Sequence, residues 1–125
     1  NISKNNIVFC GALRWSDKST SDSTAAKLAH EANTEFINIT NVSGLYTSNP
    51  HTNSKARLIE NITWKDFEKK ANKIKFHAGQ HFVLDQQASK SIREYKIPTY
   101  IIGPNAHNFD KVINNKKFIG TLIKD

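Results

Sequence analysis

Between residues 7 and 40 the chain passes from a short apolar run to a helical stripe and back to an apolar run, an order that few folds accommodate. Ile7-Val8-Phe9-Cys10 is unbroken and apolar, the pattern of a strand covered on both faces. Ala25, Leu28, Ala29 and Ala32 then recur at i, i+3, i+4 and i+7, one face of a helix. Ser21 or Asp22 is placed to cap that helix. Phe36-Ile37-Asn38-Ile39-Thr40 reads as the next strand. Strand, helix and strand within roughly 35 residues form a βαβ unit, so Ile7–Cys10 and Phe36–Thr40 are expected to lie side by side and parallel.

The alternation continues. Asn41 to Asn61 has no clean period and holds Gly44 and Pro50, so it reads as a long irregular connection. Such connections in a compact domain are usually functional or disordered. Thr63 with Asp66 three residues later is a capping-box variant opening a helix with Trp64, Phe67, Ala71 and Ile74 as its stripe. Leu84, Ala88, Ile92 and Tyr95 mark a further helix ending near Lys96. Pro98–Gly103 is a strand, Phe109, Val112 and Ile113 a short helix, and Phe118–Ile123 a last strand. The fold class expected is α/β: a three-layer αβα sandwich around a mainly parallel sheet, with residues 1–125 as a single domain.

Composition narrows the partners. With 125 residues, 38% of them hydrophobic, the chain can form one core. It has no apolar run of the roughly 18 residues that crossing a bilayer needs. With no signal-like segment, the expectation is a cytoplasmic protein. No methionine occurs, position 1 included. The expectation is that residue 1 is not the native start, through trimming or because an N-terminal part is absent. Cys10, the one cysteine, reads as a buried, inert thiol. The net charge is +7, and residues 61–125 carry most of it, with 12 basic and 6 acidic side chains. Fifteen of the 18 basic residues are Lys and three are Arg. Arg is the usual reader of bases and phosphates, so this balance argues against nucleic acid as the main partner. An anionic small molecule suits the charge at least as well.

Three constellations could carry chemistry. Gly11 to Asp22 lies between a strand end and a helix start. Free N–H groups and the helix dipole favour phosphate there, with Arg14, Lys18, Ser19, Thr20 and Ser21 adding charge and hydroxyls. An ordinary helix cap explains the same residues equally well, and no Walker A pattern is present. The segment Thr40 to Pro50 again follows a strand. Tyr46 could pack on a base, and Asn41 and Asn49 could hydrogen-bond to base or ribose; a plain loop turning at Gly44 is the alternative. His77, His81 and Asp85 are spaced four apart, as metal ligands on one helical face would be. Gly79 interrupts that face, and no metal site is assigned.

Four blocks, in order, resemble one family. Thr20-Ser21-Asp22-Ser23-Thr24-Ala25-Ala26-Lys27-Leu28-Ala29 looks like its T-T-D-x-x-A-A-x-L-A segment. Ile39 to Pro50 is similar to its T-x-V-D-G-x-Y-T-x-D-P loop. Gly79 to Asp85, followed by Ala88 and Lys90, resembles a G-x-x-x-V-x-D-x-x-A-x-K stretch, and Gly120-Thr121-Leu122-Ile123 a closing G-T-x-I. These are segments of the archaeal-type uridylate (UMP) kinases of the amino-acid-kinase superfamily. The resemblance implies an enzyme moving the γ-phosphate of ATP, with Mg2+ bound to the nucleotide, onto UMP in pyrimidine nucleotide biosynthesis.

By resemblance, Asp22 is the catalytic organiser, and Arg14, Ser19, Thr20 and Ser21 contact UMP. Thr40, Asn41, Tyr46 and Asn49 hold ATP. The resemblance also implies a homo-oligomer, a hexamer in the family. The match is to the C-terminal, ATP-binding part of the fold. The family's N-terminal half, with its Lys and Gly-rich phosphate loops, has no counterpart here, so the fragment alone is expected to be inactive. Ser43 and Asn49 stand where the pattern has Asp. Two alternatives stay open: another small-molecule kinase of aspartokinase type, and a kinase-derived domain retained for nucleotide binding or assembly without catalysis.

Overall fold

The computed structural model describes residues 7–9, 20–73 and 83–125. In chain order the elements are α1 (Ser21–Glu31), β1 (Phe36–Ile39), β2 (Asn61–Ile62), α2 (Trp64–Lys73), α3 (Gln86–Glu94), β3 (Thr99–Ile102), α4 (Ala106–Ile113) and β4 (Thr121–Ile123). The strands form one sheet in the order β1-β3-β4-β2. β1 runs parallel to β3, with Phe36 opposite Thr99 and Ile39 opposite Ile102. β2 runs parallel to β4, while β3 and β4 are antiparallel, pairing Ile101 with Thr121. The sheet is therefore mixed.

Alternation along β3 sends neighbouring side chains to opposite faces. Ile101 joins the main core with Ala26, Ala29, Phe67, Ala88 and Ile92 from α1, α2 and α3. Ile102, also fully buried, points the other way, towards the face where α4 and its buried Val112 pack on β3. Helices thus cover both faces, the three-layer arrangement expected. Phe67 is 0% exposed, and its burial contributes on the order of 2–3 kcal/mol.

The helix ends follow from local chemistry. Thr63 opens α2 as anticipated: its Oγ1 accepts the Asp66 N–H at 3.1 Å and donates to the Asp66 carboxylate at 3.0 Å. Trp64 Nε1 donates to the Ile97 carbonyl at 2.9 Å, fixing the start of α2 against the chain entering β3. Arg93 of α3 pairs with Glu68 of α2. Asn33, Lys96 and Asn115 adopt positive φ just past α1, α3 and α4, reversing the chain in the left-handed conformation usual at helix ends.

Two expectations need correction. Ile7–Phe9 form no strand, and β1 pairs with β3 among the described residues. The three apolar side chains instead line a hollow beside Ile37 and Ile39, with the Phe9 ring 6.2 Å from that of Phe109. Phe9 remains 80% exposed. A buried-type strand needs cover on both faces, and these residues have it on one. Cys10 lies outside the described residues. The connection after β1 also ends in β2, which the sequence reading missed. Two residues are too few to show any period.

Candidate active site at the carboxyl end of the sheet

Helices α1 and α3 each run back along the sheet into the strand that follows, β1 and β3. Their N-termini therefore lie at the carboxyl ends of these two parallel strands. Ligands of open α/β sheets bind at this end.

The two helix starts are joined directly. Thr20, not Ser21 or Asp22, is the N-cap of α1: its Oγ1 accepts the Ser23 N–H at 3.1 Å, and Ser23 Oγ accepts the Thr20 N–H at 3.2 Å. This reciprocal box leaves the hydroxyl proton of Thr20 free to point outward. It donates to Asp85 Oδ2 at 2.6 Å. Asp85 in turn caps α3, its Oδ1 accepting the N–H groups of Gln87 and Ala88 at 2.8 and 2.9 Å. Asn38 of β1 braces the same corner by donating to the Val83 carbonyl at 2.6 Å. Asp85 stands in the sequence at the end of the four-spaced His77–His81–Asp85 set and at the Asp of the V-x-D stretch, but its role as the partner of Thr20, 65 positions away, has no local signal.

Ser21 and Asp22 are the first two residues of α1, and Asp22 is half-buried. Burial, and then repulsion from Asp85, raise the Asp22 pKa above its ordinary 3.8. The two carboxylates differ in support: Asp85 accepts three hydrogen bonds, whereas no cation among the described residues pairs with Asp22. Asp22 is thus a half-buried carboxylate without a counter-ion among the described residues. Arg14 and Ser19 lie outside the described residues, as do His77 and His81 of the four-spaced set. Among the described residues, no three His, Cys, Asp or Glu side chains gather as metal ligands.

The sign of the Asp22 shift gives a stability prediction. A carboxyl whose folded pKa is raised binds its proton more tightly when folded. Stability then falls as pH rises from about 3.8 through the raised value, and stays lower above it. Asp22→Asn removes this loss. The variant is expected to melt higher than the parent at pH 7, with the gap closing below pH about 3.8, where the aspartate is neutral in both states. Paired melting curves at pH 7 and pH 3 check it, and an equal gap at both would rule out the electrostatic account.

The second segment crosses the same end of the sheet. The Thr40 N–H donates to the Ile102 carbonyl at 2.9 Å. The chain then passes Gly103, which faces Val42 and Ser43, and reaches β4, where the Leu45 N–H donates to Thr121 Oγ1 at 2.8 Å. Gly44 is required here: a Cβ would sit 2.8 Å from Thr121 Oγ1 and 2.9 Å from Leu58 Cδ1. Tyr46 bridges antiparallel to Leu58, and the Thr47 N–H donates to the Arg57 carbonyl at 2.9 Å, so residues 45–47 and 57–59 form two limbs of a folded loop. At its tip Asn49 Oδ1 accepts the His51 N–H at 2.9 Å, closing a turn after Pro50. Thr40 and Asn41 lie at the root of the loop, with Asn41 exposed, and Tyr46 is half-buried.

One end of the sheet therefore carries two helix N-termini, a half-buried aspartate and a braced loop with an aromatic ring. Residues 4–103 match the sequence profile of the Amino acid kinase family. The uridylate kinase of Archaeoglobus fulgidus is 32% identical over 105 residues, covering 83% of this chain and 48% of its own length. That of Thermococcus kodakarensis is 35% identical over 107 residues, covering 84% and 47%. The crystal structure of the Archaeoglobus fulgidus enzyme superposes with a TM-score of 0.71 at 31% identity, over 84% of this chain and 47% of that one. The UMP kinase of Bacillus anthracis, at 22% identity, shares the fold with a TM-score of 0.71, over 86% of this chain and 41% of that one. The chain spans about half the length of the relatives it matches. On profile, relatives and fold together, the chain belongs to the amino acid kinase family.

Proposed function

We propose that this chain is the nucleotide-binding part of a uridylate kinase, which transfers the γ-phosphoryl group of ATP to UMP. The observation that carries the reading is the meeting of two segments at one end of the sheet: the α1 start at Thr20–Asp22 and the loop from Thr40 to Asn49. The family match over residues 4–103 runs through both, and uridylate kinases are among the relatives. In the reaction a 5′-phosphate oxygen of UMP bonds to the γ-phosphorus, the bond from that phosphorus to the β,γ-bridging oxygen breaks, and ADP leaves. The protein's work in such a transfer is positioning and charge stabilisation.

Arg14, Ser19, Thr20 and Ser21 are assigned to UMP, where hydroxyls and a helix N-terminus suit a phosphate. Thr40, Asn41, Tyr46 and Asn49 are assigned to ATP. Asp22 is assigned the organisation of cations around the transferring group. The donors here are hard oxygens, which suit Mg2+, and without a three-ligand cluster among the described residues the ion would arrive on the nucleotide phosphates. Mg2+ would supply charge neutralisation there. The reading carries with it a homo-oligomer and a cytoplasmic location. Among the described residues no helix is long and apolar enough to cross a membrane.

The test is a coupled ADP-release assay on the full-length protein with UMP, CMP, aspartate and isopentenyl phosphate as acceptors. UMP-dependent turnover is expected, with the other acceptors far slower. Preference for aspartate or another acceptor would move the protein to a different kinase class. An inactive protein that still binds ATP would favour the non-catalytic alternative, for which Ser43 and Asn49, standing at Asp positions of the pattern, are the supporting residues.

A further inference from the structure

We propose that Thr121, at the start of β4, is the positioning residue that holds the nucleotide loop in its binding shape; the inference rests on the kinase reading above. Thr121 is 0% exposed. Its one hydroxyl joins both limbs of the loop: Oγ1 accepts the Leu45 N–H at 2.8 Å and donates to the Ile59 carbonyl at 2.6 Å. The Ile59 N–H closes the set by donating to the Leu45 carbonyl at 2.8 Å. Leu45 adjoins Tyr46, so the hydroxyl fixes the backbone one residue from the aromatic ring assigned to the nucleotide.

Thr121 is itself held from behind. Asn108 of α4, buried, accepts the Ile119 N–H with Oδ1 at 2.8 Å and donates from Nδ2 to the Ile119 carbonyl at 2.6 Å. Gly120 packs on the Ile101 carbonyl, leaving the chain no room to slide. A rigid chain of contacts thus runs from α4 through Ile119 and Gly120 to Thr121, and from there into the loop. Any shift of Thr121 would reach Tyr46 through a single amide.

The experiment uses the full-length protein and three substitutions. Thr121→Val keeps the shape and removes the hydroxyl, leaving the Leu45 N–H and Ile59 carbonyl without that partner. Thr121→Ser keeps the hydroxyl. Ile92→Val trims the core on α3 and serves as a control for a general loss of stability. Calorimetric titration with Mg-ATP is expected to show affinity reduced about tenfold or more in Thr121→Val, and within about twofold of the parent in Thr121→Ser and Ile92→Val. The KM for ATP should rise while kcat at saturating ATP changes much less. Hydrogen exchange at the Leu45 amide should quicken in Thr121→Val alone.

Unchanged affinity and unchanged Leu45 exchange in Thr121→Val would overturn the proposal, as would an equal loss in Ile92→Val. If Thr121→Val does not fold, Thr121→Ala takes its place; parent-like affinity with unchanged Leu45 exchange there overturns the proposal equally. Failure of the unsubstituted protein to bind Mg-ATP would instead overturn the kinase reading beneath it.

Discussion

Asp22→Asn in the full-length protein is expected to lower UMP-dependent turnover by roughly a hundredfold, the scale of losing one well-placed electrostatic group. Its affinity for Mg-ATP should change less than about threefold. The argument begins with placement. Asp22 stands in the first turn of α1, next to the Thr20–Asp85 link that fixes this helix to α3. Its carboxylate is half-buried and repelled by Asp85, and no cation among the described residues pairs with it. A group so placed gains most when cations enter, and the proposed phosphoryl transfer would bring them. Asparagine has the same shape and can still hydrogen-bond, but it cannot organise positive charge. The same substitution is expected to stabilise the folded protein at neutral pH. A variant that is more stable yet much slower would mark Asp22 as kept for function at the expense of stability. The coupled ADP-release assay with calorimetry separates the effects. Full turnover by Asp22→Asn would reduce the residue to an ordinary first-turn aspartate.

Much of the architecture was legible because period and capping are local. The stripe Ala25–Ala32, the Thr63–Asp66 box and the run Pro98–Gly103 each report a structure decided within a few residues. β2 was not legible, since Asn61–Ile62 becomes a strand only through its pairing with Leu122 and Ile123. Ile7–Phe9 failed for the opposite reason: an apolar run shows that a segment seeks cover, not that a neighbouring strand supplies it. The antiparallel β3–β4 pair was likewise hidden, because strand direction depends on the whole path of the chain.

The site shows the same division. The helix start at Thr20–Asp22 and the loop after β1 were readable as local structure, since a helix cap and a Gly-containing loop carry their own signals. Their connections were not. The resemblance makes Thr20 a ligand contact, yet its hydroxyl also serves as the α1 cap and as the donor to Asp85. The resemblance makes Asn49 a nucleotide contact, yet its side-chain oxygen already closes the turn to His51. Asp85 and Thr121 act across 65 and 76 positions, and only the folded chain brings those partners together.

Gly120→Ala is expected to be the most damaging small substitution in this part of the protein, destabilising it by about 3 kcal/mol. A Cβ at position 120 would lie 2.5 Å from the Ile101 carbonyl oxygen, 2.8 Å from Ile102 Cγ2 and 2.9 Å from Phe118 Cε2. The first of these atoms is backbone in β3, which sits between β1 and β4 and cannot turn aside like a side chain. Relief must come from moving β4 off β3. That would disturb the Ile101–Thr121 pairing, the burial of Ile123 and the hydroxyl link from Thr121 to Leu45. Against a total stability of roughly 5–15 kcal/mol, such a loss is a large fraction. Gly103→Ala is the matched comparison, because its Cβ would meet Val42 and Ser43 at 3.4–3.7 Å, close to ordinary contact. That variant should lose less than about 1 kcal/mol. Urea unfolding midpoints of the two variants and the parent decide the matter. Equal midpoints for Gly120→Ala and Gly103→Ala would show that β4 can yield at Gly120, and that the chain of contacts from α4 to the loop at Leu45 is softer than its packing implies.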